Sequence, residues 1–286
     1  MTAPTWDPEQ YLLFRAERSR PVSDLLNRVE PVDPRYVVDL GCGPGHLSAE
    51  LARRWSDALV EGVDSSPEMI DRARRETAGT GVVLTQADLR EWHPTRPVDV
   101  LVCNAVLQWV PGHLELLPRL VEMLAPGGWV ALGLPGNFTS PAHTTLADLR
   151  TSRRWRAVLA RDGVGTGGQG PGLPWSAEPP AYLRRLLATG AEPDVWESTY
   201  LHVLPGPDGV LQWMKGTALR PVLDLLDESD RIELLDEYGR RLAEAYPVLP
   251  VGGRPAQILA YRRLFAVARR PPGASTSASP PAVLRR

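Results

Sequence analysis

A glycine turn placed directly after an apolar segment constrains this chain more than any other feature. Residues 36–40 have the composition of a buried strand, and an acid, Asp39, stands near the end of that strand. Glycines then occupy every second position, at Gly41, Gly43 and Gly45. The amphipathic residues 46–55 predict a helix. This order lets backbone N–H groups and the helix dipole face a small ligand, because glycine leaves the backbone accessible.

The spacing of these glycines distinguishes two kinds of nucleotide-binding turn. A dinucleotide-binding turn has the pattern Gly-x-Gly-x-x-Gly, whose last glycine lets the helix pack close to the strand. Counted from Gly41, that glycine would stand at position 46, which is His46. The pattern found here, Gly-x-Gly-x-Gly preceded by Asp39, resembles the first motif of the class I S-adenosylmethionine (SAM) methyltransferases. An NAD-dependent oxidoreductase is the alternative, and His46 disfavours it.

Strand and helix patterns alternate after residue 35. The expected strands cover residues 36–40, 58–63, 82–86, 98–103, 128–134, 194–204 and 261–269. The expected core helices cover residues 46–55, 67–76 and 113–124. This βαβα order predicts an α/β fold with a doubly wound, mostly parallel sheet, whose strands end at one edge where ligands bind. The resemblance implies seven strands in a Rossmann-like class I methyltransferase, with an N-terminal helical cap and helical insertions.

We expect a single SAM-dependent methyltransferase domain over residues 1–270. Within it we distinguish an N-terminal cap of helices broken at Pro21 (8–30), a SAM-binding core (31–136), a mainly helical substrate-side region with one strand (137–255) and a terminal strand (256–270). The glycine-rich stretch 163–172 is expected to be a mobile loop. Residues 271–286 are rich in proline and serine, and this composition predicts a disordered tail.

The composition is typical of a globular protein. The chain has 286 residues, a hydrophobic fraction of 43% and a formal net charge of -2. These values do not indicate a nucleic-acid or membrane partner. The sequence shows no run of 18 or more apolar residues and no signal pattern, so we expect a cytoplasmic protein, as a monomer or weak homo-oligomer. The two cysteines are too few for a disulfide framework and are expected to be buried thiols. No Cys/His cluster has zinc-like spacing, so we expect no metal.

Each polar part of SAM has candidate partners at the ends of the expected strands. N–H groups of the glycine turn suit the amino-acid carboxylate, whereas Asp39 and the carbonyls near Asn104 suit the ammonium group. Asp64 ends the second strand and suits both ribose hydroxyls, and Asp88 suits the adenine amine. The cofactor-binding candidates are Asp39, Gly41, Cys42, Gly43, Asp64, Ser65, Asp88, Leu89, Asn104, Ala105 and Gln108.

Two of the acids have an alternative role. Asp64 is also placed to cap the helix over residues 67–76, although Ser65 or Ser66 could do this instead. Asp88 alone would be an ordinary turn acid. Trp109, after the fourth strand, is equally compatible with the site and with packing.

Several segments resemble the trans-aconitate 2-methyltransferase family more specifically. The resemblance covers residues 6–270 and is carried by segments 16–21, 39–45, 62–67, 107–109, 219–221 and 264–270. The glycine-rich stretch 163–172, Arg262 in place of a proline, and the tail after residue 270 depart from the family pattern. The resemblance implies methylation of a carboxylate on a small tricarboxylic acid, with SAM as the donor.

This reaction requires no general base, because a carboxylate is already ionised at neutral pH. We therefore expect no catalytic acid or base, and arginines that bind the two non-reacting carboxylates. The substrate-binding candidates are Tyr11, Arg18, Trp109, His143, Arg220, Tyr261 and Arg263. Two alternatives remain open: a SAM methyltransferase acting on another small molecule by O-, N- or C-methylation, and a SAM-binding protein without turnover.

Overall fold

The computed structural model of the chain describes residues 15–160 and 175–273. The side chains of residues 15–19 and of residue 160 also lie outside the described part. The expected mobile loop over residues 163–172, the tail beyond residue 273 and the candidate Tyr11 therefore fall outside it.

An eight-stranded, mostly parallel sheet forms the centre of the molecule and confirms the predicted α/β fold. The strands are β1 (Tyr36–Leu40), β2 (Leu59–Asp64), β3 (Val83–Gln86), β4 (Val98–Asn104), β5 (Leu124–Pro135), β6 (Glu192–Pro205), β7 (Leu249–Val251) and β8 (Arg254–Arg269). Their order is β3-β2-β1-β4-β5-β8-β6. Strands β1 to β5 are parallel, and β8 is antiparallel to its neighbours β5 and β6.

The short strand β7 was not among the seven predicted strands. It pairs with the beginning of β8 through a two-residue turn at Gly252 and Gly253, both with positive φ. Two consecutive glycines suit such a hairpin turn. Strand β7 has only three residues, all exposed, and is too short to show an alternating pattern, so only the glycines signal the hairpin.

Ten α-helices lie in the described residues. They are α1 (Arg15–Leu26), α2 (His46–Arg54), α3 (Pro67–Glu76), α4 (Leu117–Glu122), α5 (Pro141–Thr151), α6 (Arg153–Ala160), α7 (Pro179–Leu187), α8 (Gly209–Lys215), α9 (Arg220–Leu223) and α10 (Glu228–Ala245). The expected helix over residues 113–124 is divided into a 3-10 turn, His113–Leu116, and α4. None of the described helices is long and apolar enough to span a membrane.

The expected break at Pro21 is wrong, because α1 continues through this proline. Proline inside a helix costs about 3 kcal/mol through a lost hydrogen bond and a steric clash. Val22, Leu25 and Leu26, directly after it, are almost completely buried against the sheet. Burial of three large side chains, about 1.5–3 kcal/mol each, outweighs that cost.

Two hydrophobic clusters cover the two faces of the sheet. Successive residues of a strand alternate between them, so that Val37 belongs to the cluster with α1 and Val38 to the cluster with α4 and α7. A third cluster joins α5, α6 and the helices from α8 to α10 to the first half of β8, where Leu259 is buried. Helices α5, α6 and α8 to α10 therefore pack beside β8 and β6, at one end of the strand order.

Candidate functional site

The glycine turn after β1 needs glycine at each of its three positions. Gly41, Gly43 and Gly45 have φ values of +84°, +53° and +87°, a region that residues with a Cβ atom rarely adopt. A Cβ atom on Gly45 would lie 2.9 Å from Ala73 of α3, and one on Gly41 would overlap the side chain of Val106. The turn is thus closely surrounded, except at Gly43, where nothing lies within 4 Å of an added Cβ atom.

Asp64 is anchored at the end of β2 by two backbone groups. Its Oδ2 accepts a hydrogen bond from the N–H of Gly43 at 2.9 Å, and its Oδ1 accepts one from Ser66 at 2.9 Å. The hydroxyl of Ser66, rather than Asp64, caps α3 by accepting from the N–H of Met69. Each carboxylate oxygen accepts about two hydrogen bonds, so both retain capacity for a ligand hydroxyl. Ser65 is exposed beside it.

Asp39 lies behind the glycine turn rather than on its surface. It is 1% exposed, and the hydroxyl of Ser48 in α2 donates to its Oδ2 at 2.6 Å. Burial, together with the negative charge of Asp64, raises the pKa of Asp39 to about 7. The hydrogen bond from Ser48 thus holds the carboxyl group of Asp39 in place. Ser48 was not among the residues predicted from the sequence.

The thiol of Cys42 is buried in the same turn. Burial, assisted by the charge of Asp39, raises its pKa far above the usual value, so the thiol is neutral. Cys103 is buried and free as well, which confirms the expectation of two buried thiols. Neither cysteine has the electropositive surroundings of a nucleophile.

The adenine candidates lie in the turn after β3. The guanidinium of Arg90 binds the carboxylate of Asp88, and this hydrogen bond lowers the pKa of Asp88. The carbonyl of Asp88 also accepts from the N–H of Trp92, which closes the turn. Leu89 is buried next to it. Asp88 therefore has the turn role, and its carboxylate is already bound by Arg90.

Backbone strain marks the end of β4. Ala105 has a φ of +56°, which is unusual for a residue other than glycine, and its N–H donates to the carbonyl of Gly133 at 2.7 Å. The amide of Gln108 donates to the carbonyl of Ala105 at 2.6 Å, whereas its own Oε1 is buried without a hydrogen-bond partner among the described residues. Trp109 is half-buried beside it. Such strain is often found at binding sites.

Arg263 on β8 brings a positive charge to this same edge. It is only 6% exposed, and its Nη2 donates to Oδ1 of Asn104 at 2.8 Å. Its Nε is buried and has no hydrogen-bond partner in the described part of the chain. No acid forms an ion pair with it among the side chains that the structure describes. A buried cation without an acid is costly unless an anion binds beside it.

The neighbouring Arg262 has a different environment. Its guanidinium binds Glu178 at 2.7 Å and also Glu197, and it donates to the carbonyl of Gly136. These partners raise its pKa above the usual value. The departure from the family pattern at this position therefore adds a surface ion-pair cluster and does not add a free cation.

Three other substrate candidates, His143, Arg220 and Tyr261, lie on elements that contribute to the third hydrophobic cluster. Tyr261 shares a face of β8 with Arg263 and packs 5.1 Å from Trp213, measured between ring centroids. His143 on α5 is neutral, because burial lowers its pKa to about 4. Arg220 begins α9, with its Nε buried and lacking a hydrogen-bond partner within the described residues. Arg18 lies in α1, and its side chain is outside the described part.

Three further polar residues near this cluster were missing from the sequence prediction. Arg150 on α5 is 5% exposed, and burial lowers its pKa. Asn137 and Ser140, in the segment between β5 and α5, have buried side-chain oxygens without hydrogen-bond partners in the described structure. Asn137 lies two residues after the end of β5, at the sheet edge where the sequence predicts ligand binding, and this position is a signal that could have identified it.

Solved structures share this architecture at low sequence identity. The YcgJ protein of Bacillus subtilis has a TM-score of 0.57 with 13% identity, covering 89% of this chain and 100% of that protein. The phosphoethanolamine N-methyltransferase 2 of Haemonchus contortus, solved with S-adenosyl-L-methionine, has a TM-score of 0.51 with 16% identity, covering 88% of this chain and 52% of that protein. These likenesses show the fold.

Sequence comparison shows the family. Residues 37–128 match a family described as a methyltransferase domain. The trans-aconitate 2-methyltransferase of Streptomyces coelicolor is 48% identical, covering 95% of this chain and 89% of that protein. The Mycobacterium tuberculosis protein of the same name is 44% identical, covering 92% of this chain and 96% of that protein. The chain therefore belongs to the trans-aconitate 2-methyltransferase family.

Proposed function

We propose that the protein transfers the methyl group of SAM to a carboxylate of trans-aconitate, giving a monomethyl ester and S-adenosylhomocysteine. The observation that carries this proposal is the buried guanidinium of Arg263, which lies at the ligand edge of the sheet without an acid partner in the described structure. The names of the relatives at 43–48% identity support the same reaction.

The residues around the glycine turn fit the donor. The open space at Gly43 leaves its backbone accessible, and the two anchored oxygens of Asp64 keep capacity for the ribose hydroxyls. We assign the adenine to Asp88 and Leu89, and the ammonium group to the carbonyls at Asn104 and Ala105. Asp39, which is buried, would act on the cofactor through its charge.

Cationic and neutral side chains on the β8 side fit the acceptor. We assign the two non-reacting carboxylates to Arg263 and Arg220, whose Nε groups are both buried and lack a hydrogen-bond partner among the described residues. A planar guanidinium binds a carboxylate through two parallel hydrogen bonds. His143, which is neutral because burial lowers its pKa to about 4, and Tyr261 would complete the pocket. Arg18 and Trp109 remain candidates in this proposal.

The reaction follows from these positions. SAM supplies an electrophilic methyl group: the carboxylate oxygen forms a bond to the methyl carbon while the carbon–sulfur bond breaks, and its electron pair goes to sulfur. No proton moves, so a general base is unnecessary. Arginine beside the reacting carboxylate would weaken its nucleophilicity, which is why we place the arginines on the other two. Alignment of both reactants contributes about 7–11 kcal/mol in the best cases.

A methylation assay with a panel of acids tests this function. The purified protein is incubated with SAM and trans-aconitate, cis-aconitate, citrate or isocitrate, and NMR locates the ester. We expect a monomethyl ester with the fastest turnover on trans-aconitate. Tight SAM binding without any product would support a binding protein without turnover. Methylation of uncharged acceptors, but of none of the acids, would contradict the proposal in favour of another small-molecule methyltransferase.

A further inference from the structure

The side chain of Asn104 lies at the boundary between the proposed donor and acceptor sites. Asn104 ends β4, Gly133 is its partner on β5, and Arg263 lies on β8, the next strand of the sheet. The Nη2 of Arg263 donates to Oδ1 of Asn104 at 2.8 Å. An arginine side chain has only donors, so the oxygen of the amide must face it and the NH₂ group must face away.

A glycine on the intervening strand makes room for this pair. A Cβ atom on Gly133 would lie 2.7 Å from Oδ1 of Asn104 and 3.3 Å from Nη2 of Arg263. The backbone of Gly133 does not have a positive φ, so its conformation alone would accept another residue. An isolated glycine in a buried strand often marks a close approach of other groups. The absence of a side chain at Gly133 therefore allows the contact between Asn104 and Arg263 across β5.

The charge at position 104 determines what Arg263 can bind. Aspartate has the same shape as asparagine and would form a buried ion pair with Arg263. The adjacent Arg262 shows the result of such pairing, since Glu178 and Glu197 already neutralise it. The amide satisfies one N–H of Arg263, and no acid among the described side chains forms an ion pair that would compensate its positive charge.

We propose that Asn104 is a specificity-determining residue, whose neutral amide positions the Arg263 guanidinium while leaving its charge for a carboxylate of the acceptor. The buried Nε of Arg263 lacks a hydrogen-bond partner in the described structure, and it is the group that donates a hydrogen bond to this carboxylate. The assignment rests on the proposed function, because it requires an anionic acceptor. It gives the side chain of Asn104 a role separate from that of its backbone carbonyl, which we assign to the donor.

Two substitutions at this position separate charge from hydrogen bonding. For Asn104→Asp we expect the KM for trans-aconitate to rise about 10- to 100-fold, because the introduced carboxylate compensates the charge of Arg263 and repels the acceptor carboxylate. The Kd for S-adenosylhomocysteine, measured by calorimetry, should be unchanged or lower. Asn104→Ala keeps the charge of Arg263 available, so its KM should rise much less. An equal or larger effect of Asn104→Ala would overturn the proposal.

A double-mutant cycle with Arg263→Gln tests whether Asn104 acts through the charge of Arg263. A purely structural role of Asn104 would not depend on that charge. If Asn104 acts through the charge of Arg263, Asn104→Asp should have no further effect on KM in the Arg263→Gln background. Equal effects of Asn104→Asp in both backgrounds would contradict the proposal. If the Arg263→Gln variant does not bind S-adenosylhomocysteine, the cycle is not used. The proposal is then decided by whether Asn104→Asp raises the KM more than Asn104→Ala does.

The same assays separate this inference from the proposed function. A wild-type protein that forms no ester from any acid of the panel contradicts the proposed function itself. A wild-type protein that methylates trans-aconitate, together with an Asn104→Asp variant of normal KM, contradicts only the role of Asn104.

Discussion

Arg262 and Arg263 are neighbours on β8, and the sheet directs their side chains to opposite faces. Arg262 lies among Glu178 and Glu197 near the surface, where solvent screens the ion pairs. Arg263 is buried against Asn104 and Gly133. A low-dielectric surrounding strengthens its attraction for an anion. Two identical side chains therefore have different capacities to bind a carboxylate.

The two arginines provide a matched pair of variants. We expect Arg263→Gln to raise the KM for trans-aconitate roughly 30-fold or more, because a buried charge pair with the acceptor is lost. Arg262→Gln should change the free energy of unfolding by less than about 1 kcal/mol and leave the KM unchanged, since its ion pairs are near the surface. Steady-state kinetics and urea unfolding measure both effects. A larger kinetic defect in Arg262→Gln would refute the assignment.

Asp39 makes the stability of the cofactor-free protein depend on pH. Burial raises its pKa in the folded state from 3.8 to about 7, so the folded protein holds this proton more tightly than the unfolded chain. The stabilisation from this group is complete below pH 4 and is lost as the pH rises through about 7. Asn at this position still accepts the Ser48 hydrogen bond but carries no charge.

Asp39→Asn should therefore be more stable than the wild type at pH 8, by a few kcal/mol at about 1.4 kcal/mol per pKa unit. The difference should shrink at pH 5, where the wild-type carboxyl is protonated. Urea unfolding of the cofactor-free proteins at both values measures it. A difference that is the same at pH 5 and pH 8 would show that Asp39 does not titrate in this range.

At the scale of elements, the glycine turn joins β1, α2 and α3 into one unit. We expect Gly41→Ala to lower the free energy of unfolding by about 2 kcal/mol or more, since it combines a positive φ with overlap on Val106. Gly43→Ala, with a positive φ and open space, should cost only about 1 kcal/mol. Adding Val106→Ala to Gly41→Ala should recover part of the loss in urea unfolding. Absence of any recovery would exclude Val106 as the cause.

A hydrogen bond connects α1 to β6, the strand at one edge of the sheet. The hydroxyl of Tyr200 on β6 donates to Oδ2 of Asp24 at 2.6 Å, and the guanidinium of Arg20 lies 5.4 Å from the ring of Tyr200. We expect Tyr200→Phe to reduce the local stability of α1 by about 1–2 kcal/mol. Faster amide exchange in α1, with unchanged exchange in β1, would show this.

A second tyrosine provides the control for that experiment. Tyr36 also donates to a carboxylate, that of Glu61 on β2, away from α1. Tyr36→Phe should leave amide exchange in α1 unchanged. If the two variants affect α1 equally, the hydrogen bond to Asp24 does not hold the helix.

Local patterns were sufficient to predict some elements and parts of the site. The glycine turn and Asp64 follow from short segments, because the strand, the turn and the following acid lie within thirty residues. The continuity of α1 through Pro21 depends on tertiary burial, which no local pattern shows. The contact of Asn104 with Arg263 depends on the register of β4, β5 and β8. Asn104 and Arg263 stand 159 residues apart, so the sequence alone does not indicate their contact.

At the scale of the whole molecule, the proposed donor and acceptor sites lie on different parts of the chain. The donor residues come from the first four strands, whereas most acceptor residues come from β8 and the helices around the third hydrophobic cluster. Asn104 and Arg263 connect the two parts at one edge of the sheet. We therefore expect the two ligands to stabilise different segments.

Hydrogen exchange measured by mass spectrometry tests this division. S-adenosylhomocysteine should slow amide exchange in the glycine turn and after β2. Trans-aconitate, added to the protein with S-adenosylhomocysteine, should slow exchange in α5 and α9, because His143 and Arg220 lie there. Exchange in α3 should not respond to the acid. Protection by trans-aconitate that is confined to the first four strands would contradict the assigned acceptor site.

The central position of β8 has a consequence for how the protein is made. This strand comes last in the sequence but inserts between β5 and β6, and it carries Arg263, which contacts Asn104. On the ribosome, Arg263 is added 159 residues after Asn104, a delay of about 10–30 s at ordinary rates of translation. A nascent chain would thus assemble its nucleoside-binding half well before it gains the charge that selects a tricarboxylate.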